Sequence, residues 1–156
     1  MPNSPVILDL PSPDATSALG VSLAPKLAAG DVILLEGGIG AGKTHFARAL
    51  IQSLLPTPED VPSPTFTLVQ IYDGPGFEVW HADLYRLSGP DEAAELGLED
   101  AFANAVCLIE WPDRLAELTP SDALHLTLEP GADDTRRLTA SWSHPKWADK
   151  LKDIPT

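Results

Sequence analysis

Residues 37–44 read Gly37, Gly38, Ile39, Gly40, Ala41, Gly42, Lys43 and Thr44, an uninterrupted G-x-x-x-x-G-K-T sequence. These types at this spacing suit the capture of a phosphate chain. Glycines at 37, 40 and 42 let the backbone turn tightly and bring several N–H groups toward one point. A helix starting at Lys43 adds unpaired donors and the positive end of its dipole. The Lys43 ammonium can reach β- and γ-phosphates, and the Thr44 hydroxyl suits Mg²⁺. The eight residues are therefore the predicted cofactor-binding set, with ATP and Mg²⁺ as the predicted ligands. No Asn-Lys-x-Asp guanine signature occurs, so GTP is not favoured over ATP. The adenine seat is not located by the sequence; Arg137 and the loop near Ser12 are candidates.

A phosphate loop alone hydrolyses nothing, because the attacking water must be oriented and Mg²⁺ supported. Two acids close strand-like runs, where functional residues of open α/β sheets collect. Glu110 ends Val106, Cys107, Leu108, Ile109 and is placed as the acid beside Mg²⁺; Asp83 ends Val79, Trp80, His81, Ala82 and is placed in the catalytic region. Either acid is also a plausible cap of the turn that follows. Ser63, Pro64, Thr65 and Phe66 form a hydroxyl-bearing loop of the kind that senses a γ-phosphate, or equally a turn capped by Ser63. Arg86 can neutralise transition-state charge or pair with a surface acid. Trp111 follows Glu110 directly and is either core or an exposed aromatic for a partner. His45, His81, His125 and His144 show no metal-ligand spacing.

The elements that must hold these groups follow from periodicity and punctuation. The apolar run from Asp31 to Glu36 precedes the glycine loop as a strand, and the pattern from Lys43 to Leu54 continues it as a helix. Val6 to Leu10 reads as a short strand. Ser12 and Pro13 read as N-cap and first helical residue, ahead of Leu19, Leu23 and Leu27 at every fourth position. Pro25 is expected to bend or shorten that helix, and Gly30 to stop it. The proline-marked stretch from Pro56 to Pro64 is a loop. Phe66 to Tyr72 and Phe77 to Asp83, joined through Asp73, Gly74, Pro75 and Gly76, form an antiparallel hairpin. Pro90 to Leu96 is a short helix. Ala105 to Ile109 is a strand covered on both faces. Leu124 to Leu128 and Arg137 to Ser141 make a second hairpin around Gly131, and His144 to Lys152 a terminal helix. The predicted fold is α/β: a three-layer arrangement like that of P-loop nucleotide hydrolases, with a mostly parallel central sheet and added antiparallel hairpin strands. It is expected to occupy residues 1–156 as one domain.

Composition bounds the partners. Hydrophobic content of 44% and charged content of 21% are those of a globular chain. Ten Lys and Arg against 23 Asp and Glu leave a formal charge of −13, which disfavours direct tRNA or DNA binding. Any nucleic-acid role is expected to run through a basic partner. The single cysteine, Cys107, allows no internal disulfide and suggests no thiolate metal site. No segment approaches a membrane span and the first residues do not resemble a signal peptide, so a cytoplasmic protein without membrane contact is expected.

Taken together, Gly37 to Thr44, Ser63 to Phe66, the run His81, Ala82, Asp83, Leu84, Tyr85, Arg86, the run Glu95 to Glu99 and the run Ile109 to Pro112 resemble the TsaE (YjeE) family in order and spacing. The resemblance covers roughly Ser12 to Leu115. It implies a P-loop ATPase required for threonylcarbamoyl-adenosine formation beside the anticodon of tRNAs reading ANN codons, working with TsaD and TsaB, and meeting tRNA only through that complex. By position it implies Thr44 and Glu110 as the Mg²⁺ residues and Asp83, with Lys43 and Thr65, as the catalytic set. Ser63, Thr65, Arg86 and Trp111 would then be switch or partner residues. One departure is Gly38, where the family usually carries an acid; it loosens the loop without removing a phosphate donor. The expected activity is weak alone and raised by TsaD–TsaB. Two other readings compete: a small-molecule kinase, for which the scattered Arg48, Arg86, Arg114, Arg136 and Arg137 supply no obvious lid, and a nucleotide-gated binding module that need not hydrolyse.

Overall fold

Alternation along the two most apolar strands sets the layering. Ile33 and Leu35 of β2 (Val32–Glu36) face one side of the sheet, and Val32 and Leu34 the other. Val106 and Leu108 of β5 (Val106–Glu110) alternate with Cys107 and Ile109 in the same way. Both faces are apolar because both are covered, which is why these strands read as continuous hydrophobic runs. In the computed structural model, which describes residues 4–38, 40–57, 59–152 and 154, they lie inside a seven-stranded sheet.

The remaining strands are β1 (Val6–Leu10), β3 (Val69–Asp73), β4 (Glu78–Asp83), β6 (Leu124–Pro130) and β7 (Arg136–Ser141), in the order β1-β7-β6-β2-β5-β4-β3. The centre, β6-β2-β5-β4, is parallel, while β3, β7 and β1 pair antiparallel at the two sides. Helices α1 (Pro13–Leu23), α2 (Lys43–Leu54) and α5 (Lys146–Leu151) cover one face, and α3 (Pro90–Glu95) with α4 (Leu98–Asn104) the other. This is the expected mixed α/β, three-layer arrangement, and both expected hairpins are present. Among the described residues no helix is long and apolar enough to cross a membrane.

Phe46, Leu50 and Ile51 of α2 are fully buried. Each such side chain contributes about 1.5–3 kcal/mol through removal from water. Helix α1 closes on α2 through Gly20, where an added Cβ would sit 2.9 Å from the Phe46 carbonyl oxygen. Ser12 caps α1, its Oγ accepting from Ala15 N–H at 3.2 Å, with Pro13 in the first turn.

Some boundaries differ from the sequence-based expectation. Helix α1 ends at Leu23, and Ala24–Lys26 tightens into a 3₁₀ turn, because Pro25 lacks the N–H that a further α-helical turn needs. Gly30 therefore does not stop the helix; at φ +95° it turns the chain into β2. The first hairpin strand starts at Val69 rather than Phe66, since Leu68 adopts φ +70° and donates its N–H to Pro64 O at 2.7 Å. Helix α4 and the 3₁₀ segment Pro112–Leu118 are additional to the expected elements.

Candidate active site

The carboxyl ends of β2, β4 and β5 meet at one edge of the sheet, and parallel pairing aligns them. Asp83 is opposite Glu110, and Glu110 is opposite Leu35. Directly after β2 the chain enters the glycine loop and then α2. Three of its glycines take conformations that L-residues with side chains avoid: Gly37 at φ +150°, Gly40 at +79° and Gly42 at +102°. At Gly37 space is also decisive, since a Cβ would come within 2.5 Å of Leu128 O. Gly42 is the N-cap of α2, Ala41 is buried beneath the loop, and Gly38 is open to solvent. Ile39 lies outside the described residues.

This loop and edge border a cleft of about 550 Å³. Lys43, Thr44, Thr65, Asp83, Glu110 and Trp111 all line it. Lys43 is 5% exposed, and its Nζ donates to Gly37 O and to Gly38 O at 3.0 Å. Burial lowers its pKa below the ordinary lysine value, while Glu110 and Asp83 favour the charged form. Thr44 Oγ1 lies 2.8 and 2.9 Å from the two Glu110 oxygens. Asp83 is held at both oxygens: Oδ2 faces Thr65 Oγ1 at 3.3 Å, and Oδ1 accepts from Tyr85 N–H at 3.0 Å. Ser63 Oγ reaches Thr65 Oγ1 at 2.8 Å, which ties the predicted switch pair together, although Ser63 itself does not line the cleft.

Trp111 is half-buried, with its ring centroid 4.0 Å from Lys43 Nζ and 4.7 Å from the Tyr85 ring. It therefore meets the lysine as a cation–π partner. Its φ of +59° is unusual for a bulky residue and turns the chain sharply after β5, a strain of about 1–3 kcal/mol. Arg86 stands apart. It is exposed, stacked 5.5 Å over the 83%-exposed Phe66, and outside the cleft.

Three contributors were not singled out by the sequence. His81 is fully buried and its Nε2–H donates to the Glu110 Oε2 carboxylate oxygen at 2.6 Å, which restrains that carboxylate; its Nδ1 has no partner among the described residues. Strand alternation carries the signal, because residues 81 and 83 share a face. Arg136 lines the cleft where Arg137 was the candidate. Arg137 is one residue later, so it points to the opposite face and meets Asp9 at 3.4 Å. Tyr85 borders the cleft beside Trp111. Near Ser12 it is the first turn of α1, through Pro13 and Thr16, that borders the cleft, and not the loop itself.

The donors are hydroxyl and carboxylate oxygens within reach of one point, next to a lysine and a helix N-terminus. Hard oxygen donors of this kind fit Mg²⁺ rather than a soft metal. Among the described residues no group of three or more His, Cys, Asp or Glu is placed to hold an ion by itself. Thr44 and Glu110 fit an ion whose other ligands come from phosphate and water, the usual manner of Mg²⁺.

Comparison with known proteins gives one answer at each level. The family model described as threonylcarbamoyl adenosine biosynthesis protein TsaE matches residues 10–138. A Rickettsia bellii protein named tRNA threonylcarbamoyladenosine biosynthesis protein TsaE is 38% identical over 136 residues, covering 87% of this chain and 93% of that one. A Bacillus subtilis protein of the same name is 36% identical over 129 residues, covering 82% and 80%. The crystal structure of Bacillus subtilis YdiB superposes with a TM-score of 0.77 at 26% identity, covering 96% of this chain and 93% of that one. With the motifs and the fold in agreement, the chain belongs to the TsaE family of threonylcarbamoyl adenosine biosynthesis proteins.

Proposed function

We propose that the chain is a Mg²⁺-dependent ATPase that binds the TsaD–TsaB complex and supports its turnover in threonylcarbamoyl-adenosine modification of tRNA. The observation that carries this reading is the convergence of Lys43, Thr44, Asp83 and Glu110 on one cleft under the N-terminus of α2. A cradle of N–H groups with a lysine at its centre binds a polyphosphate. On binding, the Lys43 ammonium exchanges its contacts with Gly37 O and Gly38 O for phosphate oxygens. Mg²⁺ at Thr44 and Glu110 would offset negative charge on the β- and γ-phosphates. His81 keeps the Glu110 carboxylate in register throughout. Asp83, restrained at both oxygens, orients the attacking water, and Thr65 links that acid to the Ser63 loop, which senses the γ-phosphate. Trp111 closes one side of Lys43 against solvent.

The kinase reading gains little from the arginines. Arg48 holds Val61 O, Arg114 holds Leu87 O and Tyr85 O, and Arg137 pairs with Asp9, none of them lining the cleft. Arg136 does line it, but its guanidinium is engaged by the loop carbonyls of Ala41 and Gly40. The test is Mg·ATP turnover measured while TsaD–TsaB is titrated in. The expected result is a low basal rate that rises with the complex; a flat rate across the titration contradicts the proposal.

A further inference from the structure

Arg136 lines the cleft and opens β7, which lies on the opposite side of β2 from β5 and β4, the strands that carry the acids. Strand alternation puts it on the face of Leu138 and Ala140, the side that carries α1 and α2. There its guanidinium meets the outside of the glycine loop. Nε donates to Ala41 O at 3.0 Å, and a terminal nitrogen donates to Gly40 O at 3.1 Å. The other terminal nitrogen donates to Thr135 O at 2.8 Å and fixes the plane of the group. These contacts join residues 95 and 96 positions apart, so they are built by the fold rather than by local sequence.

A trans peptide holds its C=O and N–H in opposite directions. Drawing the carbonyls of Gly40 and Ala41 outward toward Arg136 therefore turns the N–H groups of Ala41 and Gly42 inward. The Ala41 N–H does point into the loop, meeting Gly38 O at 3.1 Å, the same oxygen that accepts from Lys43. Gly40 and Gly42 flank this segment at positive φ and have no side chains to hold it. An external clamp is the physical means of keeping such a glycine-rich segment in one conformation, because fixing its backbone costs about 1–2 kcal/mol per residue in entropy.

We propose that Arg136 is a positioning residue that presets the loop amides for a phosphate chain, gripping their carbonyls from outside the site. The proposal rests on the reading of the 37–44 loop as a polyphosphate cradle and assigns to β7 a part in it. It makes the affinity for the phosphate chain, rather than for the base, depend on this arginine.

The experiment compares wild type, Arg136→Met and Arg136→Lys by calorimetry with Mg·ATP and with Mg·tripolyphosphate. Amide exchange at Ala41 is measured by NMR without ligand, and unfolding temperature serves as a control. In the Met variant both ligands weaken by about tenfold to a hundredfold, the scale of losing charge-assisted hydrogen bonds. Ala41 exchanges several-fold faster, and the unfolding temperature moves by a few degrees at most. Lysine, with one compact ammonium in place of a fork, recovers only a minor part. Tripolyphosphate affinity within about twofold of wild type overturns the proposal, as does full recovery by lysine. Unchanged Ala41 exchange overturns it too, since a residue that simply touched the ligand would leave that amide alone. If wild type binds neither ligand, the nucleotide reading fails instead, and the Ala41 exchange rate still decides whether Arg136 braces the loop.

Discussion

Asp83 and Glu110 are neighbours on paired strands, yet their surroundings divide their work. Glu110 faces a hydroxyl and a histidine, whereas Asp83 faces a threonine of the Ser63 loop and a backbone amide. Asp83→Asn keeps the shape and removes the base, so hydrolysis should fall by about a hundredfold or more. ATP affinity should remain within about threefold, and single-turnover hydrolysis beside equilibrium binding measures both. A nucleotide-gated module would instead keep its partner function in this variant. Thr44→Val removes the hydroxyl at the proposed ion position, so the gain in ATP affinity on adding Mg²⁺ should shrink by about tenfold, read from titrations with and without EDTA. Lys43, Thr44, Asp83 and Glu110 were legible in the sequence because each sits at the end of a recognisable element. His81 and Arg136 were not, because their roles depend on which strand lies beside which, a fact of long-range pairing that no local pattern carries.

At the level of elements, the loop works only if β2, α1 and α2 are held in fixed relation. Gly20 of α1 packs against the backbone of α2, where an added Cβ would sit 2.9 Å from Phe46 O and 3.2 Å from Leu50 N. Replacing a helical glycine with alanine ordinarily gains up to about 1 kcal/mol. Here the new Cβ would press on backbone atoms of α2, an overpacking cost of about 1–3 kcal/mol. The clash outweighs the propensity, so Gly20→Ala should be destabilised, seen as a lower urea midpoint. Cys107 tests the burial of β5 independently. Burial pushes its thiol up to about 12, so the native chain should resist alkylation at pH 8 and react only when unfolded. The strands were legible from apolar runs bounded by glycine and proline. The shortening of α1 at Pro25 was also legible, but the late start of β3 was not, because Leu68 in a left-handed conformation is imposed by its turn rather than by its type. The short helices α3 and α4, joined through Gly97 at φ +82°, are too brief for periodicity to separate.

For the whole molecule, a formal charge of −13 disfavours direct contact with tRNA, which is why the proposed role runs through partners. The isolated chain should show no tRNA binding at physiological salt in a filter or polarisation assay, and should join tRNA only when TsaD–TsaB is present. Tyr85 is exposed and lines the cleft, and exposed Phe66 follows the lining residue Thr65, so on the proposed function a partner seated there would also shield the nucleotide from water. Family membership was legible because separated motifs stand in a characteristic order and spacing along the chain, whereas the geometry that brings Asp83 and Glu110 to one edge needed the seven-strand order. The most direct measurement is a calorimetric titration of the chain with ATP, in the presence of Mg²⁺ and again in EDTA, alone and with TsaD–TsaB. A saturable uptake of one nucleotide per chain that weakens sharply in EDTA is the predicted result. No uptake of any adenine nucleotide at millimolar concentration, in either setting, would contradict it.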